Sequence, residues 1–544
     1  MTNPHNRPFA NRFFGLVALA GLALMLLGNL VQAQVAQVQV TAFKQAVAEA
    51  ASGDEQVAIY YRTHNYQPVW IGEGDVFKAR RAALMQVLDR VELHGLSRAR
   101  YDVNGLMAAM RDVRTTRDLG LVEVALSRTF VKYARDVHKG MLIPSSIDDG
   151  LVRKIEYRDN GDYLAGLETA GDPQAYMRTL APATREYRAL MKEKIRLEGL
   201  ISTGGWGTSV PSAKFKSGAT GNAVLALRNR LIRMGYMSSS ASASYDSALE
   251  KAVQRFQLTH GLEADGMAGK TTIDEINKPV TARLKSVVVA MERERWLPDE
   301  RGTRHVLVNL ADFHAQIIDD GYVTFRTRSV VGKNQSDRRS PEFSDVMEHM
   351  IINPSWHVPR SIVVKEYLPQ LRNNPNAAGH IRITDRRGRV VNRSGMDFSQ
   401  FTRSNFPFAM TQPPGGRNAL GLVKFIFPNK HNIYLHDTPS KSLFARESRA
   451  FSHGCIRLQD PFDFAYALLA RQSDRPKDLF HSTLKTGKES KIVLEQPVPV
   501  HLIYRTAFTT MQGGIEFRRD MYGRDAKIWK ALNQAGVELA GVQG

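Results

Sequence analysis

The chain has a single cysteine, Cys455, among 544 residues. A disulfide bond within the chain is therefore excluded, and so is a small fold stapled by disulfides. A lone thiol is either buried and inert or chemically active, and the presence of a single cysteine by itself favours the inert alternative. The residues around Cys455, described below, favour the active alternative.

Long apolar runs are scarce, because the only one lies near the N-terminus, from Phe13 to Leu27. It follows Arg7 and Arg12 and ends before small residues, the pattern of a secretory signal peptide, which we assign to residues 1–33 with cleavage at its end. The alternative is an uncleaved inner-membrane anchor at residues 13–31, close to the ~20 residues that span a bilayer. Both alternatives predict a periplasmic protein, with membrane contact only in the second.

Acidic residues are outnumbered, with 54 Asp and Glu against 74 Lys and Arg and a formal net charge of +20. Nucleic acid, acidic lipid and bacterial cell wall would all be attracted to such a surface. Charge alone selects no function, and the motifs below favour the wall and not nucleic acid.

The N-terminal half predicts a helical domain followed by a linker. Apolar residues recur at spacings of three and four from Leu84 to Val91, so we assign residues 40–201 to a helical scaffold domain. Residues 202–217 are rich in Gly and Ser and are typical of a linker.

Residues 218–277 form a compact unit with two amphipathic helical patterns, the first ended by Gly235. The unit resembles the small three-helix peptidoglycan-binding domain through shared apolar, capping and turn positions. These positions are Tyr245, Asp246, Leu249, Ala252, Val253, Phe256, Gln257, Gly261, Leu262, Asp265, Gly266, Gly269 and Thr272. The resemblance implies targeting to the wall, and the alternative is a module that keeps the fold and only spaces its neighbours.

Residues 300–480, assigned as the catalytic domain on the motif described below, are predicted to form a mainly antiparallel sheet, because short apolar runs alternate with Gly, Asp and Pro turns. The predicted strands are Val306–Leu310, Ala315–Ile318, Ser329–Val331, Met350–Asn353 and Leu422–Phe427, and the predicted helices are Ser361–Arg372 and Asp460–Ala470.

Residues 373–408 are polar and too irregular for a core, so we interpret them as a flap over a cleft. Residues 481–544 are assigned to a C-terminal extension, with a terminal hairpin formed by His501–Phe508 and Gly514–Arg518. The expected fold class is multidomain α+β, made of the helical scaffold, the three-helix domain and the β-rich catalytic domain with its flap.

The residues around the cysteine predict nucleophilic chemistry. A thiol of ordinary pKa is mostly protonated at neutral pH, so it needs a base, and His436 ends an apolar run nineteen positions earlier. Gly454 allows a tight turn, and backbone N–H groups of Gly454 and Cys455 can stabilise an oxyanion. Arg457 adds a cation that favours thiolate or meets a substrate carboxylate.

Ser452, His453, Gly454, Cys455 and Arg457 together resemble the S-H-G-C-x-R signature of the L,D-transpeptidases, with an upstream histidine at His436. The resemblance runs from about residue 306 to residue 470 and is closest to the large periplasmic branch. It implies that the backbone carbonyl of Ser452 orients His436 and that Gly454 contributes to the oxyanion hole.

The sequence departs from the family at Asp437, where many members have glycine, so Asp437 is an alternative orienting group. We expect Arg457, His453 and Asp437 to bind substrate or support the site, His453 by holding the loop. The resemblance further implies that Cys455 attacks a tetrapeptide donor stem, that a thioester forms, and that a neighbouring acceptor stem completes a 3→3 cross-link. It implies no cofactor, capture by carbapenems, and contacts with partners in cell-wall synthesis.

Three alternatives stay open: hydrolysis as an L,D-carboxypeptidase, ligation of a lipoprotein to peptidoglycan, and a non-catalytic wall-binding protein. A zinc site is also disfavoured, although His436, Asp437, His453 and Cys455 are ligand types. The His-x-Cys spacing is poor for two ligands at one strand end, and a glycine beside the thiol suits acyl transfer better. We therefore predict no metal.

Overall fold

The computed structural model describes residues 41–510 and 513–539, so the predicted signal peptide or anchor lies outside the described residues. The chain divides into two compact units, Met1–Lys139 with Tyr157–Ala181, and Gly140–Glu156 with Pro182–Gly544. Over the described ranges, no helix combines the length and apolarity that crossing a membrane requires.

The first unit is helical. After a helix that includes residues 41–51, its α-helices are Glu55–Thr63, Asp75–Asp89, Val103–Arg111, Thr116–Lys139, Asn160–Thr169 and Pro173–Thr179, with 3₁₀ turns at Val91–His94 and Arg98–Tyr101. The longest helix carries Glu123, whose buried carboxylate accepts hydrogen bonds from the Tyr61 hydroxyl (2.7 Å) and the backbone N–H of Val69 (2.7 Å). This carboxylate ties the loop after the first helices to the centre of the unit.

The second unit contains, before its sheet, a 3₁₀ turn and five α-helices: Pro144–Ser146, Arg185–Ser202, Asn222–Arg233, Ser247–Thr259, Lys270–Ile276 and Val280–Arg295. Three of them, from residue 222 to residue 276, pack around one apolar cluster that includes Leu227, Phe256 and Ile273. Gly235 follows the first of the three with φ +85°, the left-handed conformation that glycine adopts at a helix end. The Gln257 amide donates to Asp265 and Thr272, which links the helix to the turn after it.

The rest of the second unit is built on strands, numbered in chain order. They are β1 Arg304–Asn309, β2 His314–Asp319, β3 Tyr322–Gly332, β4 Phe343–Ile352, β5 Trp356–His357, β6 Arg382–Thr384, β7 Ala409–Gln412, β8 Val423–Ile426, β9 Leu435–His436, β10 Ala450–Ser452, β11 Ile456–Leu458, β12 Ser490–Ile503, β13 Ala507–Thr509 and β14 Ile515–Phe517. The helical segments among them are Arg360–Ile362, the π-helix Val363–Tyr367, Leu368–Asn373, Phe398–Gln400, Lys441–Ala445, Pro461–Leu469, Pro476–Lys485 and Arg524–Gln534.

Nine strands form one sheet in the order β10-β3-β11-β9-β8-β4-β12-β1-β2. Because β2 also pairs with β3, eight of them close into a ring whose interior is filled by apolar side chains. Most neighbours are antiparallel, but β1 pairs with β12, β9 with β11 and β3 with β10 in parallel. β13 and β14 form a separate antiparallel hairpin.

The boundary that we placed at residue 480 is wrong, because β12 lies inside this sheet between β4 and β1. Pro497 and Pro499 make its sequence look unlike a central strand. The register of β12 against β4 shifts between Val493 and Val498, so the irregularity absorbs the first proline without ending the strand. The segment His501–Ile503, which we assigned to a hairpin, continues β12.

Residues 356–412, here called the flap lobe, contain the segment that we interpreted as a flap. A three-stranded sheet, β5-β7-β6, packs with the helical turns 360–373 around a separate apolar cluster. Ile381, Ile383 and Phe398 are each about 1% exposed in that cluster. The expectation that residues 373–408 are too irregular for a core is therefore wrong, because widely spaced apolar residues converge there.

The helix Val280–Arg295 is buried on nearly every side, although it ends in the charged run 292–295. Arg293 pairs with Glu342 (2.5 Å) and Asp525 (3.0 Å), and Glu294 pairs with Arg301 (2.7 Å) and with Arg505. Burying these charges is tolerated because each has an opposite charge as partner. We call this network the ion-pair belt.

Candidate active site

The strands β9 and β11 lie side by side in parallel and carry the residues of the predicted site. Leu435 is opposite Ile456, and His436 is opposite Arg457. Since side chains alternate along a strand and Leu435 and Ile456 point into the core, His436 and Arg457 share the other face. Continuing the register by one residue places Cys455 beside Tyr434 on that same face.

His436 is only 4% exposed. Its Nδ1 lies 2.5 Å from the backbone carbonyl of Asp437. A carbonyl only accepts, so Nδ1 carries the proton, and the backbone carbonyl of Leu420 is a second acceptor close to the ring. Burial, followed by repulsion from the Arg457 cation, lowers the pKa of His436 to about 3, so its imidazole is neutral at neutral pH.

The assignment of the Ser452 carbonyl as the group that orients His436 is wrong. That carbonyl accepts from the Lys333 N–H (2.9 Å), because β10 pairs with β3 and directs it there. The Ser452 hydroxyl instead donates to the Cys455 carbonyl (2.6 Å) and accepts from the Gly454 N–H (3.1 Å). Ser452 thus shapes the loop around the cysteine.

The backbone carbonyl of Asp437, and not its carboxylate, orients the His436 ring. The carboxylate accepts from the N–H groups of Leu422 (2.9 Å) and Thr438 (2.7 Å) and from Lys441 Nζ (2.7 Å). A Cβ on Gly421 would lie 2.2 Å from this carboxylate. Asp437 therefore fixes the approach to the site, where it requires glycine at position 421.

Cys455 keeps partial exposure, and its thiol donates to the Asn432 carbonyl (3.4 Å). Desolvation of the sulfur raises the pKa of the thiol to about 11, although backbone and side-chain contacts with Tyr434 and the Arg457 cation act in the lowering direction. The thiol is therefore protonated at neutral pH. We expected Arg457 to favour thiolate, but desolvation outweighs its effect.

Gly454 has φ +119°, and an added Cβ would lie 3.2 Å from Ile433 Cδ1. Its N–H is taken by Ser452, and its carbonyl accepts from the Ser340 hydroxyl (2.6 Å). In the planar trans peptide that joins Gly454 to Cys455, the N–H points away from the carbonyl. Among the described residues no acceptor takes the Cys455 N–H, so this group, and not the N–H of Gly454, is available to a ligand.

Arg457 has no carboxylate partner within the described ranges, and its Nε is buried without a hydrogen bond. Burial lowers the pKa of its guanidinium. His453, in contrast, points away from the sulfur: its Nε2 lies 2.6 Å from Glu366 of the flap lobe, which also pairs with Arg338 (2.7 Å). Among the residues that the structure describes, no group of three or more His, Cys, Asp and Glu could hold a metal.

Tyr434 was missed by the sequence analysis. Its ring centroid lies 5.6 Å from that of His436, and burial and the neighbouring Cys455 raise the pKa of its hydroxyl. Its position two residues before His436 in an alternating strand was the available signal. From the sequence alone, the same position equally predicts that Tyr434 is a core aromatic, because the partner strand is not known.

A cavity of about 470 Å³ opens beside the cysteine loop. His453 and Gly454 line one side, and the segment Ser145–Gly150 and Lys527 line another. Residues far from the signature in sequence thus line this cavity together with His453 and Gly454, whereas Cys455 does not line it.

Three family models match the chain. Residues 303–485 match the L,D-transpeptidase catalytic domain (YkuD), residues 220–276 match the "Putative peptidoglycan binding domain", and residues 55–193 match the scaffold domain.

The chain is 30% identical over 239 residues to a "Putative L,D-transpeptidase" of Haemophilus influenzae, an alignment that covers 44% of this chain and 47% of that protein. It therefore spans about half the length of this relative. Among solved structures, an L,D-transpeptidase from Xylanimonas cellulosilytica is similar at 15% identity over 54% of this chain and 98% of that one, with a TM-score of 0.18. One from Stackebrandtia nassauensis has 15% identity over 54% and 97%, with a TM-score of 0.21.

Residues 303–485 thus belong to the L,D-transpeptidase (YkuD) catalytic domain family, and the chain joins this domain to a scaffold domain and a peptidoglycan-binding domain.

Proposed function

We propose that the chain is an extracytoplasmic L,D-transpeptidase that forms 3→3 cross-links between peptidoglycan stem peptides through a thioester on Cys455. The observation that carries the proposal is the shared face of β9 and β11, where Cys455, His436, Tyr434 and Arg457 lie together. A structural cysteine would have no need of a neutral, oriented imidazole on the adjacent strand.

Acylation begins when the sulfur of Cys455 attacks the carbonyl of the third stem residue of a tetrapeptide donor. His436 accepts the thiol proton at Nε2 as the carbon–sulfur bond forms, and then gives it to the departing D-alanine amine as the carbon–nitrogen bond breaks. The thioester remains, and a side-chain amine of an acceptor stem attacks it with His436 again as base. No cofactor enters either step.

Both groups of the pair are neutral at rest, since the pKa of Cys455 is raised to about 11 and that of His436 is lowered to about 3. The proton therefore moves during the attack, as in a serine hydrolase, and not beforehand. A protonated resting thiol also resists oxidation, which suits a protein outside the cytoplasm.

The negative charge of the tetrahedral intermediate falls on the former carbonyl oxygen. The unpartnered N–H of Cys455 is available to it, and the hydroxyl of Tyr434, beside the sulfur, is a second donor on the same face. Arg457, a cation without a carboxylate partner, is placed to receive the carboxylate of the donor's terminal D-alanine.

Transfer, and not hydrolysis, requires that water be kept from the thioester. Glu366 of the flap lobe contacts His453 of the cysteine loop, and two ion pairs, Arg338 with Glu366 and Lys365 with Asp337 (2.6 Å), join the flap lobe to the loop after β3. These contacts support a closed site in which an amine reaches the thioester ahead of water. The peptidoglycan-binding domain and the charge of +20 support action at the wall.

The test compares the muropeptides made by the wild-type protein, Cys455→Ala and His436→Ala from purified tetrapeptide dimers or sacculi. We expect 3→3 dimers with the wild type and none with either variant. His349→Asn serves as the matched control, since this histidine of β4 has an Nδ1 without a partner. Equal dimer yields with wild type and Cys455→Ala would disprove the proposal, and D-alanine release without dimers would assign hydrolysis instead.

Covalent capture by a carbapenem is a second, simpler measurement. Intact mass and peptide mapping should place one adduct on Cys455 in the wild type and no adduct in Cys455→Ala. An adduct on another residue would contradict the assignment of the nucleophile.

A further inference from the structure

We propose, resting on the function proposed above, that Ser340 is a positioning residue that holds the Cys455 N–H toward the oxyanion, and that Tyr522 and Arg524 near the C-terminus hold Ser340. These three residues lie outside the S-H-G-C-x-R signature, and the last two lie outside the residues matched to the catalytic family.

The contact with the cysteine loop is direct. The Ser340 hydroxyl donates to the Gly454 carbonyl at 2.6 Å and accepts from the Gly332 N–H at 3.0 Å. Its oxygen thus has a fixed donor and a fixed acceptor, and the residue is fully buried. Because the Gly454 carbonyl and the Cys455 N–H belong to one rigid peptide plane, fixing the carbonyl fixes the direction of the N–H.

Gly454 makes this restraint necessary. With φ +119° it has no side chain to lock its backbone, and glycine rotates more freely than any other residue. The Ser452 hydroxyl accepts a hydrogen bond from the Gly454 N–H, and the Ser340 hydroxyl donates one to the Gly454 carbonyl. Without Ser340 the second peptide could rotate, and its N–H would leave the direction of the attacked carbonyl.

Ser340 sits at the end of a closed loop. The chain leaves β3 at Gly332 and returns at Ser340, so closely that a Cβ on Gly332 would lie 2.0 Å from the Arg338 carbonyl. Tyr522 bridges the two ends of this loop, since its hydroxyl donates to the Gly332 carbonyl (2.5 Å) and accepts from the Ser340 N–H (3.4 Å).

Arg524 fixes the other side of Ser340. Its fully buried guanidinium donates to the Ser340 carbonyl (3.0 Å) and pairs with Glu342 (3.1 Å) and Asp148 (3.4 Å). The oxyanion donor is thereby connected to the ion-pair belt through a single serine.

The experiment separates positioning from plain structure by comparing two reactions of the same thiol. Acylation by a carbapenem passes through an oxyanion, whereas alkylation by iodoacetamide displaces iodide and forms none. Ser340→Ala in the full-length protein should lower the maximal acylation rate roughly 10-fold to 100-fold, with the half-saturating concentration and the alkylation rate within about twofold of wild type.

Ser329→Ala is the matched control. Ser329, in β3, is fully buried like Ser340, but among the described residues its hydroxyl has no hydrogen-bond partner. It should leave both rates unchanged. Tyr522→Phe, which keeps the ring, should slow acylation selectively by a smaller factor, and it carries the test if Ser340→Ala does not fold.

Two results would overturn the inference: acylation within twofold of wild type in folded Ser340→Ala and Tyr522→Phe, or alkylation slowed as much as acylation. Either result would leave the proposed function intact. Failure of the proposed function appears elsewhere, as cross-linking that persists in Cys455→Ala.

Discussion

The ion-pair belt and the face of β9 and β11 both hold arginine cations, but only the belt pairs them with carboxylates. In the belt, Arg293 has two carboxylate partners and Arg524 has two. At the site, the partly exposed Arg457 has none among the described residues. A buried cation that is paired with carboxylates supports the fold, whereas the lack of such a partner leaves Arg457 available to the anionic ligand that we propose.

Breaking the belt should have the largest effect on the protein. Glu342→Ala removes the carboxylate shared by Arg293 and Arg524 and leaves two buried cations short of a partner. We expect the free energy of unfolding of the catalytic unit to fall by about 3–5 kcal/mol, measured by denaturant unfolding. Glu348→Ala, in β4 six residues further along the chain but exposed, should change it by no more than about 0.5 kcal/mol. Similar effects of both variants would show that the belt does not hold the fold.

Removing the unpaired Arg457 cation should have the reverse effect: it should slow acylation without lowering stability. Arg457→Met preserves bulk and takes away a charge that no carboxylate compensates, so stability should be unchanged or slightly higher. Acylation by a carbapenem or a tetrapeptide donor should slow roughly 10-fold to 100-fold, the value of one hydrogen bond to a charged group. Arg457→Lys should recover part of the rate, and a loss of stability in Arg457→Met like that of Arg293→Met would erase the distinction between the two regions.

The same contrast explains what the sequence could predict. His436, Gly454 and Cys455 were predictable because the chemistry of acyl transfer requires a base, a turn and a nucleophile near one another in the fold. The structure places Cys455 directly before β11 and His436 on the adjacent β9, an arrangement that supports their proposed roles. The belt was not predictable, since the run Glu292–Arg295 looks like a solvated helix end until its partners, up to 232 positions away, are known.

The errors have similar causes. Ser452 was assigned through the family pattern, but which carbonyl faces an imidazole depends on the pairing of β10 with β3. β12 was placed outside the catalytic domain because Pro497 is a local signal against a strand. The register shift that accommodates this proline depends on the pairing of β12 with β4, which the sequence does not reveal. Tyr434 was overlooked because its contact with Cys455 crosses between strands.

Tyr434→Phe tests that overlooked contact with a smaller expected effect. If the hydroxyl assists the Cys455 N–H at the oxyanion, its loss should slow acylation about 10-fold and leave alkylation of the thiol nearly unchanged. Tyr466→Phe, whose hydroxyl bonds His481 at the surface of the same unit, is the matched control. Equal slowing of acylation and alkylation would assign Tyr434 to packing around the sulfur.

The smallest expected effect is the response to pH between about pH 5 and pH 9. Burial and Arg457 hold the pKa of His436 near 3, so the imidazole is already the free base throughout this range, and the thiol, with a pKa near 11, stays protonated. The rate constant for carbapenem acylation at low concentration should therefore be flat, because neither reacting group changes its charge. A thiolate–imidazolium pair would instead give an inflection in the neutral range. In Arg457→Met the cation no longer opposes protonation, so the pKa of His436 should rise, but only in part, because burial, the larger cause, remains. The fall in rate on the acid side should therefore begin at a higher pH than in the wild type. An inflection near pH 6.5 in the wild type would contradict the neutral pair, and with it the conclusion that burial, aided by the Arg457 cation, keeps the imidazole unprotonated.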